Sequence, residues 1–190
     1  MAKKRFVIGL IGENGSGKDT FTTFFRSVAA PLKINKIRFS DILVETLTSW
    51  NIPLTRANLQ KLAIVMDEGY GKGTLTHATA RRTKDDEADV VIIEGMRWLT
   101  DVPMVRNFKN SLIVYVTADS NVRFERLKNR KQKVGEESLT RAQFDHEEKE
   151  KTEIFIPKIG SKADFKIENN GSLDEFRDKV EEFFKKYIQG

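Results

Sequence analysis

The chain has 190 residues, 39% of them hydrophobic, with 13 Phe, a formal net charge of +5 and no cysteine. This is enough apolar material for one domain around one core. The missing cysteines exclude disulfides and Cys-ligated metals, and no apolar run approaches the roughly 18 residues of a membrane span. The basic excess suits a phosphate-rich ligand but is also common on a solvated surface. Residues 1–5 lead straight into an apolar stretch with no room for a signal peptide, so a cytoplasmic protein with no membrane partner is expected.

The first predicted element is the strand around Phe6–Ile11, followed by Gly12-Glu13-Asn14-Gly15-Ser16-Gly17-Lys18-Asp19-Thr20. A helix follows, with Phe21, Phe24, Phe25 and Val28 on one face. Strand, glycine-rich loop, lysine and helix form the context of a phosphate-binding P-loop. Gly12, Gly15 and Gly17 let the backbone turn its N–H groups inward around an anion, with Asn14 and Ser16 between them. The helix N-terminus adds partial positive charge, and Lys18 reaches the outer phosphates. Where such a loop usually places a hydroxyl for Mg²⁺, this chain has Asp19, with Thr20 next. A carboxylate is also a hard oxygen ligand, so either residue is a candidate for the metal.

A short strand is predicted over residues 34–39, and Ser40-Asp41 is expected to cap a helix carrying Ile42, Leu43, Leu47 and Trp50. Pro53 ends that helix. Two more helices are predicted at about residues 55–68 and 74–87, separated by glycines at 69, 71 and 73. Three helices between two strands exceed what a crossover needs, which points to a substrate-holding insert. Strands follow at residues 89–94 and 112–117, each with a helix after it, at about 101–108 and 121–131. Residues 131–138 form a polar segment. A charged helix starts near Thr140, a last strand covers 163–168, and Ser172 and Glu175 have capping-box spacing before the final helix.

Apolar strands alternating with helices imply an α/β fold with a parallel sheet covered on both faces. Ligands of such sheets bind beyond the carboxyl ends of the strands. The P-loop, Ser40-Asp41, Glu94-Gly95, residues 117–119 and Asn169-Asn170-Gly171 should therefore share one edge. There Glu94 could orient Mg²⁺ or accept a proton, and Arg97 could hold an acceptor phosphate with its two-pronged guanidinium. Arg123, Arg126 and Arg130 share a helix face, where arginines closing over a transferring phosphoryl group would stabilise its charge. Glu147, Glu148 and Glu150 read as a solvated face. Asp41 and Arg81 are candidate substrate contacts, Asp41 for a base or ribose and Arg81 for a phosphate.

The segments G-E-N-G-S-G-K-D-T, V-V-I-I-E-G-M-R, R-F-E-R-L-K-N-R and A-D-F-K-I-E-N-N-G-S-L-D-E-F stand in the order and spacing of P-loop nucleotide kinases. The chain resembles the archaeal adenylate-kinase-related and dephospho-CoA-kinase-like proteins, and its G-K-D-T ending resembles deoxynucleotide monophosphate kinases. The resemblance implies a five-stranded sheet of order 2-3-1-4-5, a nucleotide-binding insert near residues 41–87 and a lid near 126–140. It assigns Lys18 to the β- and γ-phosphates, Arg126 and Arg130 to the lid, and Asn169, Asn170 and Gly171 to the adenine side. Asp19 departs from most members.

The expected activity is transfer of the γ-phosphoryl group of ATP, with Mg²⁺, to a small nucleotide. A nucleoside or deoxynucleoside monophosphate is the first candidate acceptor and dephospho-CoA the second. A nucleotide-binding ATPase module without an acceptor is the reading from another class. Basic residues interleaved with acids argue against a nucleic-acid partner, and no segment specifies an oligomer.

Overall fold

The computed structural model describes residues 5–130, 139–150 and 153–190. Five parallel strands, β1 (Phe6–Ile11), β2 (Ile34–Arg38), β3 (Val90–Glu94), β4 (Ser111–Thr117) and β5 (Phe165–Glu168), form one sheet in the order β2-β3-β1-β4-β5. Leu10 and Arg38 both lie beside Glu94, and Thr117 lies beside Glu168, so the carboxyl ends align along one edge. β1 and β3 are buried at every position, as expected for apolar runs covered on both faces. The outer strands β2 and β5 alternate instead.

On one face lie α1 (Lys18–Val28) and α9 (Leu173–Phe184), followed by a π-helical turn, Lys185–Gln189. Phe21 and Phe25 are fully buried there against Phe183, with ring centroids 5.9 Å apart in each case. Each such phenylalanine contributes about 1.5–3 kcal/mol by burial, so the face predicted for α1 fixes the helix that leaves the P-loop. Ser172 caps α9, accepting a hydrogen bond from the Glu175 N–H as its spacing predicts.

The opposite face is covered by α5 (Asp101–Arg106) and α8 (Ile156–Gly160), whose Val105, Ile156 and Ile159 pack on Val91, Ile93 and Ile113. Nothing in the sequence pattern singled out the short α8. Between β2 and β3, α2 (Phe39–Ser49), α3 (Arg56–Tyr70) and α4 (Thr74–Asp85) pack on one another. Leu43, Leu47 and Leu62 form a small cluster separate from the two sheet faces. After β4 come α6 (Ser120–Arg130) and α7 (Arg141–Glu147), and Thr140 and Gln143 form the expected capping box of α7.

Two expectations change. α2 begins at Phe39, so Asp41 lies in its first turn and accepts the Arg38 N–H at 2.7 Å, and Ser40-Asp41 does not precede the helix. Trp50 is 59% exposed just beyond α2 and does not share its buried face. Residues 131–138, the middle of the expected lid, lie outside the described residues. No described helix is long and apolar enough to cross a membrane.

Candidate functional site at the carboxyl edge of the sheet

The loop between β1 and α1 is shaped by two glycines in the left-handed region, Gly15 at φ 79° and Gly17 at φ 104°, which other residues reach only with strain. A Cβ at Gly12 would run into the Val116 carbonyl oxygen, and one at Gly17 into the Asn169 side-chain amide. The loop is thus pressed against the ends of β4 and β5. Asn169 is buried, and its Nδ2 donates to the Ser16 carbonyl at 2.9 Å. The Asn170 side-chain oxygen accepts the Asp119 N–H at 2.7 Å. Gly171 follows tightly enough that a Cβ would meet the Glu175 carboxylate.

The Lys18 ammonium folds back onto the loop, donating to the carbonyls of Gly12 and Glu13 at 2.8 and 2.9 Å. Burial pushes its pKa down from 10.5 to about 8, against the pull of Glu94; Arg97 pushes the same way as burial, while Glu153 and Glu13 oppose it. Lys18 therefore lies in the field of all three acids and the arginine. Ser16 is fully buried, and its Oγ has no hydrogen-bond partner among the described residues. Glu13 is buried and accepts a hydrogen bond from the Tyr115 hydroxyl; burial and this bond push the phenol up to about 12.

The arginines of α6 divide. Arg123 is buried, and it donates to the carbonyls of Ala118 at 2.9 Å and Asn14 at 3.4 Å and to Glu148 Oε2 at 2.5 Å. It braces the P-loop from below and is not free to close over a ligand. Its partner Glu148 is correspondingly not part of a purely solvated face. Arg126 is different. Its Nη2 lies 3.4 Å from Asn169 Oδ1, its Nη1 is buried without a partner among the described residues, and burial lowers its pKa. Arg130 ends α6, with its side chain outside the described residues.

Glu94 is buried at the end of β3, and Arg97 follows a turn in which Gly95 takes φ 93°. The Arg97 N–H donates to buried Asp101 at 2.9 Å, while its guanidinium pairs with Glu153 at 2.5 Å. Across the edge, the Lys36 ammonium bridges Asp19 at 2.7 Å and Glu94 at 3.3 Å. Arg38 bridges the same acids at 3.1 and 3.3 Å. Partial burial works against the Asp19 charge, but the Lys36 hydrogen bond and the Arg38 charge outweigh it and hold the carboxyl below its ordinary range.

That charge ring tests the metal assignment. One ammonium already spans Asp19 and Glu94, so the pair accommodates a cation between them, as Mg²⁺ bound through one or two carboxylates and nucleotide phosphates requires. Thr20, one residue on, is half-buried. Among the described residues no three His, Cys, Asp or Glu gather as a metal cluster. Asp19 and Glu94 are thus placed to share a cation at this edge. Arg81 is not brought to this edge: it is exposed and pairs with Asp85 one turn on at 2.6 Å. Asp41 is held at the start of α2 by Arg38.

No family model matches the sequence. Curated relatives cover almost the whole chain. A UPF0200 protein of Pyrococcus horikoshii is 29% identical over 187 residues, spanning 96% of this chain and 97% of its own. One of Hyperthermus butylicus is 28% identical over 172 residues, spanning 90% and 89%. The chain is similar to the archaeal UPF0200 proteins. Among solved structures, the shikimate kinase of Bacteroides thetaiotaomicron matches with TM-score 0.61 at 15% identity, over 95% of this chain and 97% of that one. The shikimate kinase of Acinetobacter baumannii in complex with shikimate matches with TM-score 0.56 at 16% identity, over 99% and 97%. At that identity the likeness shows the fold alone, the five-stranded parallel α/β sheet these structures share with this chain.

The sequence reading passed over Lys36 and Arg38. Their signal was present: in I-N-K-I-R they alternate with Ile37, placing two cations on one face at the carboxyl end of a strand. Glu153 had no such signal, since it stands in a run of similar acids, and only packing selects it as the partner of Arg97.

Proposed function

We propose that the protein is an ATP-dependent phosphotransferase acting on a small nucleotide, first a nucleoside or deoxynucleoside monophosphate. The observation that carries this is the set of cations at the carboxyl edge. The Lys18 ammonium sits inside the P-loop, within the field of Arg97, and a guanidinium nitrogen of Arg126 is buried beside Asn169 without a partner among the described residues. Phosphoryl transfer requires positioning and charge stabilisation more than covalent chemistry from the protein. A guanidinium nitrogen buried without a partner is costly where no anion is bound and favourable where a phosphate lies beside it.

In this reading the backbone N–H groups of Gly12, Asn14, Gly15, Ser16 and Gly17 cradle the ATP phosphates, with buried Ser16 Oγ available as a further contact. Lys18 leaves the two loop carbonyls to follow the γ-phosphoryl oxygens as charge develops on them. Asp19 or Thr20, with Glu94, would hold Mg²⁺, which supplies neutralisation of the β- and γ-phosphates. Arg97 orients the acceptor phosphate, and Arg126 and Arg130 enclose the transferring group. Asn169, Asn170 and Gly171 flank the adenine. The helices over residues 41–87 hold the acceptor; the lid expected at residues 126–140 lies in part outside the described residues.

A monophosphate acceptor attacks through an oxygen that is already ionised and needs no base. The engagement of Glu94 with Lys36 and Arg38 supports this over a hydroxyl acceptor such as dephospho-CoA, which would need that carboxylate to take a proton. The test is an acceptor screen with MgATP, following ADP release and product mass. One acceptor gaining a phosphate is the expected result. ADP release unchanged by every acceptor would overturn the reading in favour of a nucleotide-binding ATPase module.

A further inference from the structure

Trp98 follows Arg97 and is 45% exposed, although tryptophan is highly buried on average. The exposure does not reflect a loose chain. The Trp98 N–H donates to Asp101 Oδ2 at 3.0 Å, and Asp101 is 1% exposed, so the turn is anchored in the core. The indole lies 5.9 Å, centroid to centroid, from the Phe155 ring, at 48°. Phe155 packs in turn on the apolar cluster beneath α5 and α8.

Residues 97–98 and 153–155 thus meet twice, through Arg97 with Glu153 and Trp98 with Phe155. The polar contact lies in the field of Lys18. The aromatic contact is one residue further out and leaves indole surface open to solvent. A cation held by Glu153, which a ligand's anionic group would share or displace, stands beside a fixed aromatic ring, and the pair complements a ligand with an anionic group joined to a flat ring. Rings held this way bind with little loss of side-chain freedom.

We propose that Trp98, backed by Phe155, stacks on the base of a nucleoside monophosphate acceptor whose phosphate is held by Arg97. This rests on the kinase reading and adds to it the residue that recognises a base in place of a bare phosphorylated sugar. Stacking of a base on an aromatic side chain is worth about 1–3 kcal/mol, corresponding to about a 5- to 150-fold change in affinity.

The test uses Trp50→Phe, which leaves Trp98 as the sole tryptophan. AMP, GMP, CMP and UMP are titrated while Trp98 emission is followed, with ribose 5-phosphate as the base-free control. At least one nucleotide should quench the emission and the control should not. By calorimetry, Trp98→Ala should weaken that nucleotide about 5- to 150-fold, Trp98→Phe should recover most of the loss, and ATP affinity should be unchanged. Equal quenching by ribose 5-phosphate, no quenching by any nucleotide, or undiminished binding to Trp98→Ala would overturn the proposal. ADP release from the same samples separates the two claims. A nucleotide that stacks on Trp98 without gaining phosphate sinks the kinase reading and leaves the stacking intact. A nucleotide phosphorylated at unchanged KM by Trp98→Ala does the reverse.

Discussion

Replacing Lys18 with methionine should make the protein more stable and unable to respond to ATP. The folded chain keeps the Lys18 pKa near 8 against an ordinary 10.5, chiefly through burial. At about 1.4 kcal/mol per tenfold change in proton affinity, the charged ammonium costs about 3 kcal/mol at neutral pH. Methionine fills similar space without that charge but gives up the hydrogen bonds to the Gly12 and Glu13 carbonyls, worth about 1 kcal/mol each. The net gain is about 1 kcal/mol, or a rise in Tm of about 2–4 °C for a chain of this size. The assay is thermal unfolding at pH 7 with and without MgATP: Lys18→Met should melt higher than the parent alone, and ATP should no longer raise its Tm. The difference should also depend on pH. Between about 8 and 10.5 the folded parent releases the Lys18 proton while its unfolded chain still holds it, so parent stability rises with pH and the advantage of the variant shrinks. A variant that melts below the parent at pH 7, or an advantage that is the same at pH 7 and pH 10, would refute the account.

Gly17→Ala places a Cβ at φ 104° against the Asn169 amide, so a loss of about 1–3 kcal/mol by urea denaturation and of the ATP-induced Tm shift is expected. Arg123→Met leaves Glu148 and the Asn14 carbonyl without their partner; it should cost about 3–5 kcal/mol, and a double-mutant cycle with Glu148→Gln should recover part of that loss. Lys36→Met removes the ammonium between Asp19 and Glu94, so Mn²⁺ affinity without nucleotide, read by electron paramagnetic resonance, should rise at least several-fold. Unchanged Mn²⁺ affinity would mean that these two acids do not act together on a cation.

The P-loop was legible because its chemistry is local. Gly15 and Gly17 stand where the backbone takes positive φ, Lys18 opens the helix, and the Phe21 and Phe25 face that anchors α1 follows from helical periodicity. The parallel sheet was legible for the same reason: 6–11 and 90–94 are unbroken apolar runs, and runs of that kind must be covered on both faces. The carboxyl edge, with Glu94, Arg97 and Asn169 on it, then followed from topology alone.

Roles that depend on a distant partner were not legible. Arg123, Arg126 and Arg130 look alike along the helix, yet packing turns Arg123 into a brace beneath Asn14 and leaves an Arg126 nitrogen without a partner among the described residues. Glu153 becomes the partner of Arg97 only because residues 153–155 fold back over the turn after β3. Asp19 reads as a metal ligand beside Lys18, but the tertiary structure sets it against Lys36 and Arg38 from a strand two places away in the sheet. Periodicity and turn chemistry act between neighbours in sequence, and they determined the strands and most of the helices, though not the short α8 or the start of α2. Charge pairing acts through space between residues far apart in the chain, so only the tertiary structure decided which cations remain free to meet a phosphate.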